Sequence, residues 1–201
     1  MKWPWQPVPG PDELARLIQD GNTAALRQVL ARHPKLASET GPSGVLPLIQ
    51  AVMQDQPEVV RLLMDHTPQG MSPGPLFIAV WERKYQALEV LLQGPCIPDL
   101  PDQSGITPLM YAAQLQDERS TRMLLAGGAH PDVRDPDGDT ALMYAAAADA
   151  WAVASVLVTA GASTQLRNFE GDTVWDKTRS EIMRQILRAE SDGSQTSTDP
   201  W

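Results

Sequence analysis

Cysteine is all but missing from this chain. Cys96 stands alone, so no internal disulfide can staple the fold. Aromatic residues make up only 5% of a sequence that is 42% hydrophobic, so any core must be aliphatic. That favours short stacked helices over an aromatic-rich β-sandwich. Basic residues are also scarce, 16 Lys and Arg against 25 Asp and Glu, for a net charge of -9. A polyanion such as nucleic acid, or an anionic membrane surface, is therefore a poor partner. A partner with a basic surface is favoured, and solubility alone is the other reading of the charge. No apolar run approaches the roughly 20 residues needed to span a bilayer. The opening stretch Met1-Lys2-Trp3-Pro4-Trp5-Gln6-Pro7 has no apolar segment of a secretory signal, so a cytoplasmic protein is expected.

Catalytic and metal-binding patterns are missing too. Asp135-Pro136-Asp137-Gly138-Asp139 looks like a calcium loop, but the glutamate that would complete such a loop is replaced by Ala146. His33, His66 and His130 are widely spaced and have no cysteine cluster to complete a zinc site. Gly41-Pro42-Ser43-Gly44 is not a nucleophile elbow, and no phosphate-binding or dinucleotide fingerprint occurs. Cys96 lies between Pro95 and Pro98 with no base indicated beside it. The sequence predicts no enzyme, no cofactor and no metal.

What is present is a repeat. Asp102-Gln103-Ser104-Gly105-Ile106-Thr107-Pro108-Leu109-Met110-Tyr111-Ala112-Ala113 returns as Asp135-Pro136-Asp137-Gly138-Asp139-Thr140-Ala141-Leu142-Met143-Tyr144-Ala145-Ala146. Thr107 recurs as Thr140 and Thr140 as Thr173, and Gly128 recurs as Gly161, all at one constant interval. That interval, about 33 residues, accommodates one turn and two short helices. Each letter has a local task. An aspartate side chain can close a turn on the backbone two residues ahead, and Gly105 and Gly138 can take positive φ. Thr107 and Thr140 stand at helix N-caps, and Pro47, Pro75 and Pro108 at first helical positions where no N–H is needed. Paired alanines allow close helix packing, and Gly128 and Gly161 suit left-handed helix ends. This period and lettering resemble the ankyrin repeat, a turn followed by two antiparallel helices. The resemblance implies an all-α ankyrin-repeat solenoid of stacked helix-turn-helix units with short β-turn or hairpin fingers.

On that frame the chain divides into an arm, a repeat domain and a tail. Residues 1–11 form a Pro- and Trp-rich arm whose Trp3 and Trp5 either cover the first repeat or dock elsewhere. The repeat domain spans 12–189: an N-terminal cap at 12–40, units at 41–70, 71–101, 102–134 and 135–167, and a C-terminal cap at 168–189. In the N-terminal cap Thr23 is expected to cap the second helix. In the second unit Leu46 replaces the capping threonine. Pro47 and Pro75 stand closer together than one full period, which predicts a truncated finger before Gly74. The hairpins before Leu46 and Gly74 are read as shortened, so their tip positions cannot be aligned. Trp175 marks the C-terminal cap, and residues 190–201, ending in Trp201, are polar and expected to be a disordered tail.

The resemblance implies a non-catalytic module that binds a protein along a concave face of finger tips and first helices. Carried over position by position, the tip candidates are Gln103, Ser104 and Ile106, then Pro136, Asp137 and Asp139. The ends of the first helices contribute Met53 and Gln54, Trp81 and Glu82, Gln114 and Leu115, and Ala147 and Ala148. Trp81 stands out because tryptophan is enriched at binding hot spots, with Tyr85 following in the next turn of chain; its other reading is as a cover for core at the truncated finger. Trp151 is read as a packing or exposed residue at a turn. Asp135, Asp137 and Asp139 form an acidic tip suited to lysine or arginine on a partner. A monomer is expected, and an inhibitory subunit that masks a basic or catalytic surface is the alternative function.

Overall fold

The computed structural model describes residues 10–41, 43–67 and 73–193. The Trp-Pro arm up to residue 9, the stretch 68–72 where truncation is expected, and residues 194–201 with Trp201 lie outside them. Among the described residues there are twelve α-helices and no strand, as the repeat predicts. They come in pairs: α1 (Pro11–Gln19) with α2 (Thr23–Arg32), α3 (Pro47–Met53) with α4 (Pro57–Met64), and α5 (Gly74–Trp81) with α6 (Tyr85–Gln93). Then follow α7 (Pro108–Gln114) with α8 (Glu118–Ala126), α9 (Ala141–Ala147) with α10 (Trp151–Thr159), and α11 (Val174–Lys177) with α12 (Glu181–Gly193). The chain forms two compact units that divide between Cys96 and Ile97, the first holding α1–α6 and the second α7–α12.

Inside each unit, first helices pack on first helices and second on second. In unit one α3 lies between α1 and α5, and α4 packs on α6; in unit two α9 lies between α7 and α11, and α10 between α8 and α12. Small residues make the close approach of first helices possible. Ala51, Ala79, Ala112, Ala113 and Ala145 are fully buried, and Ala146 nearly so. The second helices bury the aliphatic stripe read from the sequence, including Leu63, Leu91, Leu124 and Leu157. A repeat cannot bury such a stripe alone, which is why stacking and folding are one event.

Neighbouring repeats are also stitched by polar bonds at the repeat spacing. Asp99 accepts the His130 amide at 3.0 Å, and Asp132, its counterpart one repeat on, accepts the Ser163 amide at 2.9 Å. Asp55 accepts the Ala87 amide at 2.8 Å in the first unit. Asp117, buried at the start of α8, takes the Ser120 amide and hydroxyl at 3.2 and 2.8 Å.

Helix ends follow the expected chemistry, with corrections. Thr107 caps α7 by accepting the Met110 amide at 3.3 Å. Thr140 occupies the same place, yet its hydroxyl makes no capping bond. At the C-terminal cap the roles reverse, and the Thr173 amide and hydroxyl both donate to Asp176 at 2.8 Å. The cap of α2 is Asn22, accepting the Ala25 amide at 3.1 Å, not Thr23, which is the first helical residue. Leu46 supplies no side-chain cap, as read. Helix α12 continues to Gly193, into the stretch expected to be a disordered tail.

Gly128 and Gly161, both at φ 92, end α8 and α10 in the expected left-handed conformation. Their amides and those of Ala129 and Ala162 bond back to Leu125, Leu124, Val158 and Leu157, satisfying carbonyls that helix ends otherwise leave open. The first helices end in the same way at Gly21, Asp55, Arg83, Gln116 and Asp149, all at positive φ. Only the first of these is a glycine. Left-handed backbone costs an L-residue about 1–2 kcal/mol, and glycine's extra entropy loss takes back about 0.5–1 kcal/mol. Asp149→Gly is therefore expected to stabilise by about 0.5–1 kcal/mol, read as a higher urea midpoint at unchanged slope. A lower midpoint would show that the aspartate side chain compensates for its backbone.

Candidate protein-binding surface

Three of the finger tips are each built by one side chain. The Asp102 carboxylate accepts the amides of Ser104 and Ile106 at 2.9 and 3.0 Å. Asp135 accepts those of Asp137 and Asp139 at 2.9 Å each. Asn168 repeats the pattern with Glu170 and Asp172, at 3.1 and 2.9 Å, so an amide oxygen serves as well as a carboxylate. The backbone closes each turn, as in the Asp135 amide to the Asp139 carbonyl at 3.0 Å and the Gly138 amide to the Asp135 carbonyl at 3.0 Å. The second carboxylate oxygen of Asp135 accepts the Tyr144 hydroxyl at 2.7 Å, tying the tip to the middle of α9. Tyr111 reaches Asp102 the same way at 3.4 Å.

The tip before Leu46 is not shortened. Gly41 and Val45 close it with a 3.2 Å backbone bond, Gly44 donates to Gly41 at 2.9 Å, and Gly44 has φ 71. The sequence hid it because Gly41 stands where the other tips carry Asp or Asn, so the letter that announces a tip is absent.

The tips of Asp135 and Asn168 are joined directly. The Phe169 amide donates to the Asp137 carbonyl at 3.0 Å, and the Asn168 side chain donates to Asp139 at 2.7 Å. Lys177 lies among three carboxylates, 3.5 Å from Asp139, 3.6 Å from Asp172 and 3.8 Å from Glu170. Burial pulls its ammonium down, and the carboxylates more than offset that, so it is held above the ordinary lysine range.

The acidic tip is thus partly spent within the fold. Asp135 is buried, Asp139 is half-buried and already bonded, and only Asp137 of the three is exposed. Gln103, Ser104 and Pro136 are exposed and Ile106 is half-buried. On the first helices, Met53 and Trp81 are the last residues of α3 and α5, which pack side by side, and they are 48% and 60% exposed. Gln54 and Glu82 follow them and are exposed, and Tyr85 is half-buried across the turn as the first residue of α6. In the second unit the same places hold exposed Gln114 and Ala147, with half-buried Leu115 and Ala148 after them. Trp151 is 58% exposed at the start of α10. Sequence reasoning passed over Phe169 and Glu170, although the period puts them one repeat after Pro136 and Asp137.

A family model described as ankyrin repeats, in three copies, matches residues 76–168. Residues 76–168 are thus similar to ankyrin repeats. The fold of the chain is shared with the ankyrin repeat domain of Bcl-3, described as a unique member of the IkappaB protein family, at a TM-score of 0.77 and 23% identity. That match covers 88% of this chain and 81% of that one. An ankyrin repeat domain from Acinetobacter baumannii AYE is also similar, with a TM-score of 0.73 and 18% identity over 90% of this chain and 97% of that one. Comparison with curated proteins returned no match. Ankyrin repeats generally mediate protein–protein interaction, and ankyrin domains are typically non-catalytic. Among the described residues no group of three His, Cys, Asp or Glu side chains could hold a metal ion. No helix there is long and apolar enough to cross a membrane. Burial pushes the Cys96 thiol up to about 11, which keeps it protonated at neutral pH, the opposite of what a nucleophile needs.

Proposed function

We propose that this chain is a non-catalytic ankyrin module that grips a partner protein with the ends of its first helices and the adjoining tips. The observation that carries the reading is the exposed pair Met53 and Trp81, in register on adjacent helices of the first unit. The helices hold both backbones fixed, so only side-chain torsions, two of them in tryptophan, are ordered on binding, and tryptophan is among the residue types most enriched at hot spots. The net charge of -9 favours a partner with a basic surface over nucleic acid or an anionic membrane. The single cysteine suits a reducing, cytoplasmic setting, and the chain acts as a monomer before binding. The same charge supports a second reading, an inhibitory subunit masking a basic or catalytic surface.

The test is a pull-down from native lysate with the wild type and Trp81→Ala, analysed by mass spectrometry. One stoichiometric partner is expected, with its affinity weakened about tenfold or more by the substitution. Trp81 is exposed enough that the variant should unfold at the wild-type temperature, which separates lost binding from lost fold. Full affinity in Trp81→Ala would remove the first-helix ends as the binding surface. If the partner is an enzyme whose activity disappears on mixing, the inhibitory reading replaces the adaptor one.

A further inference from the structure

Phe169 is the most exposed large apolar residue among those described, at 73%. Its backbone is nonetheless fixed. The amide is bonded to the Asp137 carbonyl, and the ring edge lies beside Gly138, where an added Cβ would stand 3.2 Å from Cδ1. Pro136 lies against Gly105 in the same manner one repeat earlier, so a ring at this position locks two tips together. A proline is enough for that lock; a solvent-facing phenyl face is not required by it.

The surroundings of the ring are anionic. Asp137 and Glu170, in the two joined tips, are exposed, and Asp139 and Asp172 are half-buried. Lys177 is shared by Asp139, Glu170 and Asp172, one positive charge against three. The Arg167 guanidinium donates to the Gly171 carbonyl at 2.6 Å. Negative charge is therefore in excess around an aromatic face, and both attract cations. An aliphatic occupant would strip water from Asp137 and Glu170 and return nothing to them.

We infer that this tip receives an arginine side chain of the partner, its guanidinium over the Phe169 ring and bonded to the carboxylates of Asp137 and Glu170. Arginine fits better than lysine because its planar group can stack and donate at the same time. The inference rests on the protein-binding reading and names the partner's chemistry at the second unit.

The test titrates the full-length ¹⁵N-labelled chain with the acetylated, amidated peptide Gly-Ser-Arg-Ser-Gly and with its citrulline and glutamate counterparts. The arginine peptide is expected to shift the amides of Asp137, Phe169 and Glu170 with roughly millimolar affinity. Citrulline, which keeps the shape and loses the charge, should bind about fivefold more weakly or worse, and the glutamate peptide should shift none of these amides. Phe169→Ala should weaken the arginine peptide about two- to fivefold. Asp137→Ser with Glu170→Gln should do the same by a different route while leaving the ring in place. Equal shifts with citrulline, undiminished binding in Phe169→Ala, or no shift at these amides overturns the inference. Shifts gathered at Met53 and Trp81 instead would overturn it while leaving the interaction-module reading intact.

Discussion

Gly138→Ala is expected to destabilise the protein by about 2–5 kcal/mol, against about 1–2 kcal/mol for Gly161→Ala. Both glycines have left-handed backbone, at φ 82 and 92, so both variants share the strain of an L-residue there, about 1–2 kcal/mol. Their surroundings differ. A Cβ at Gly161 meets nothing within 4 Å. At Gly138 it would stand 2.9 Å from the Phe169 amide nitrogen and 3.1 Å from the Asn168 Cα. These are backbone atoms, so no rotamer change relieves the contact, and overpacking adds about 1–3 kcal/mol. The Phe169 amide is also the donor to the Asp137 carbonyl, so moving it away breaks the bond that joins the tips. Urea midpoints of the two variants, measured side by side, decide the matter. Equal losses would mean that the tips do not approach as closely as described.

Asp135→Ala is expected to cost about 2–4 kcal/mol, and Asp135→Asn about 1–2 kcal/mol. The alanine variant strands two backbone amides and the Tyr144 hydroxyl, at a position only 6% exposed. The asparagine variant keeps an oxygen for the two amides, as Asn168 does in the next tip, and loses the charge and the second oxygen that accept the Tyr144 hydroxyl. The Tyr144 contact has a pH signature. Burial first, then the hydrogen bond to Asp135 and that carboxylate's charge, raise the phenol above its ordinary value of about 10. An acid whose folded value is raised contributes stability that is full below the unfolded value and is lost as pH rises through the folded one. Wild-type urea midpoints should therefore fall above pH about 10, and Tyr144→Phe should flatten that fall. An Asp135→Asn loss as large as that of alanine would show that the carboxylate's contact with Tyr144, and not the two amide bonds, holds the tip.

Much of the fold is legible in single letters because the forces involved are short-ranged. A proline at the first helical position, a glycine after the last turn and an aspartate beside the amides it binds act within one turn of chain. Where the letter was unusual, the reading slipped. Asn22 competes with Thr23 for the same cap, and the residue just outside the helix, with a short reach to the third amide, takes it. Gly41 makes a tip with no side chain to announce it, because backbone closure alone suffices there. Asp99 and Asp132 occupy the same place in successive repeats, and their role was hidden because each serves the repeat that follows.

The candidate surface was less legible than the fold. Exposure of Met53 and Trp81 follows from helix register, which the helical spacing of their buried neighbours already sets. The fate of the tip carboxylates does not. Asp135, Asp137 and Asp139 look alike in sequence, yet one is buried under Tyr144, one is bonded to Asn168 and Lys177, and one faces solvent.

The sequence by itself determined the repeat, its period, the placement of nearly every helix and the aliphatic core, since each depends on residues within a few positions of one another. Only the tertiary structure decided which acidic groups are consumed in joining the repeats and which, with Phe169, are left exposed to solvent. The consuming partners lie on the neighbouring repeat, and a hydrogen bond or ion pair across that gap exists only once stacking has set the distance.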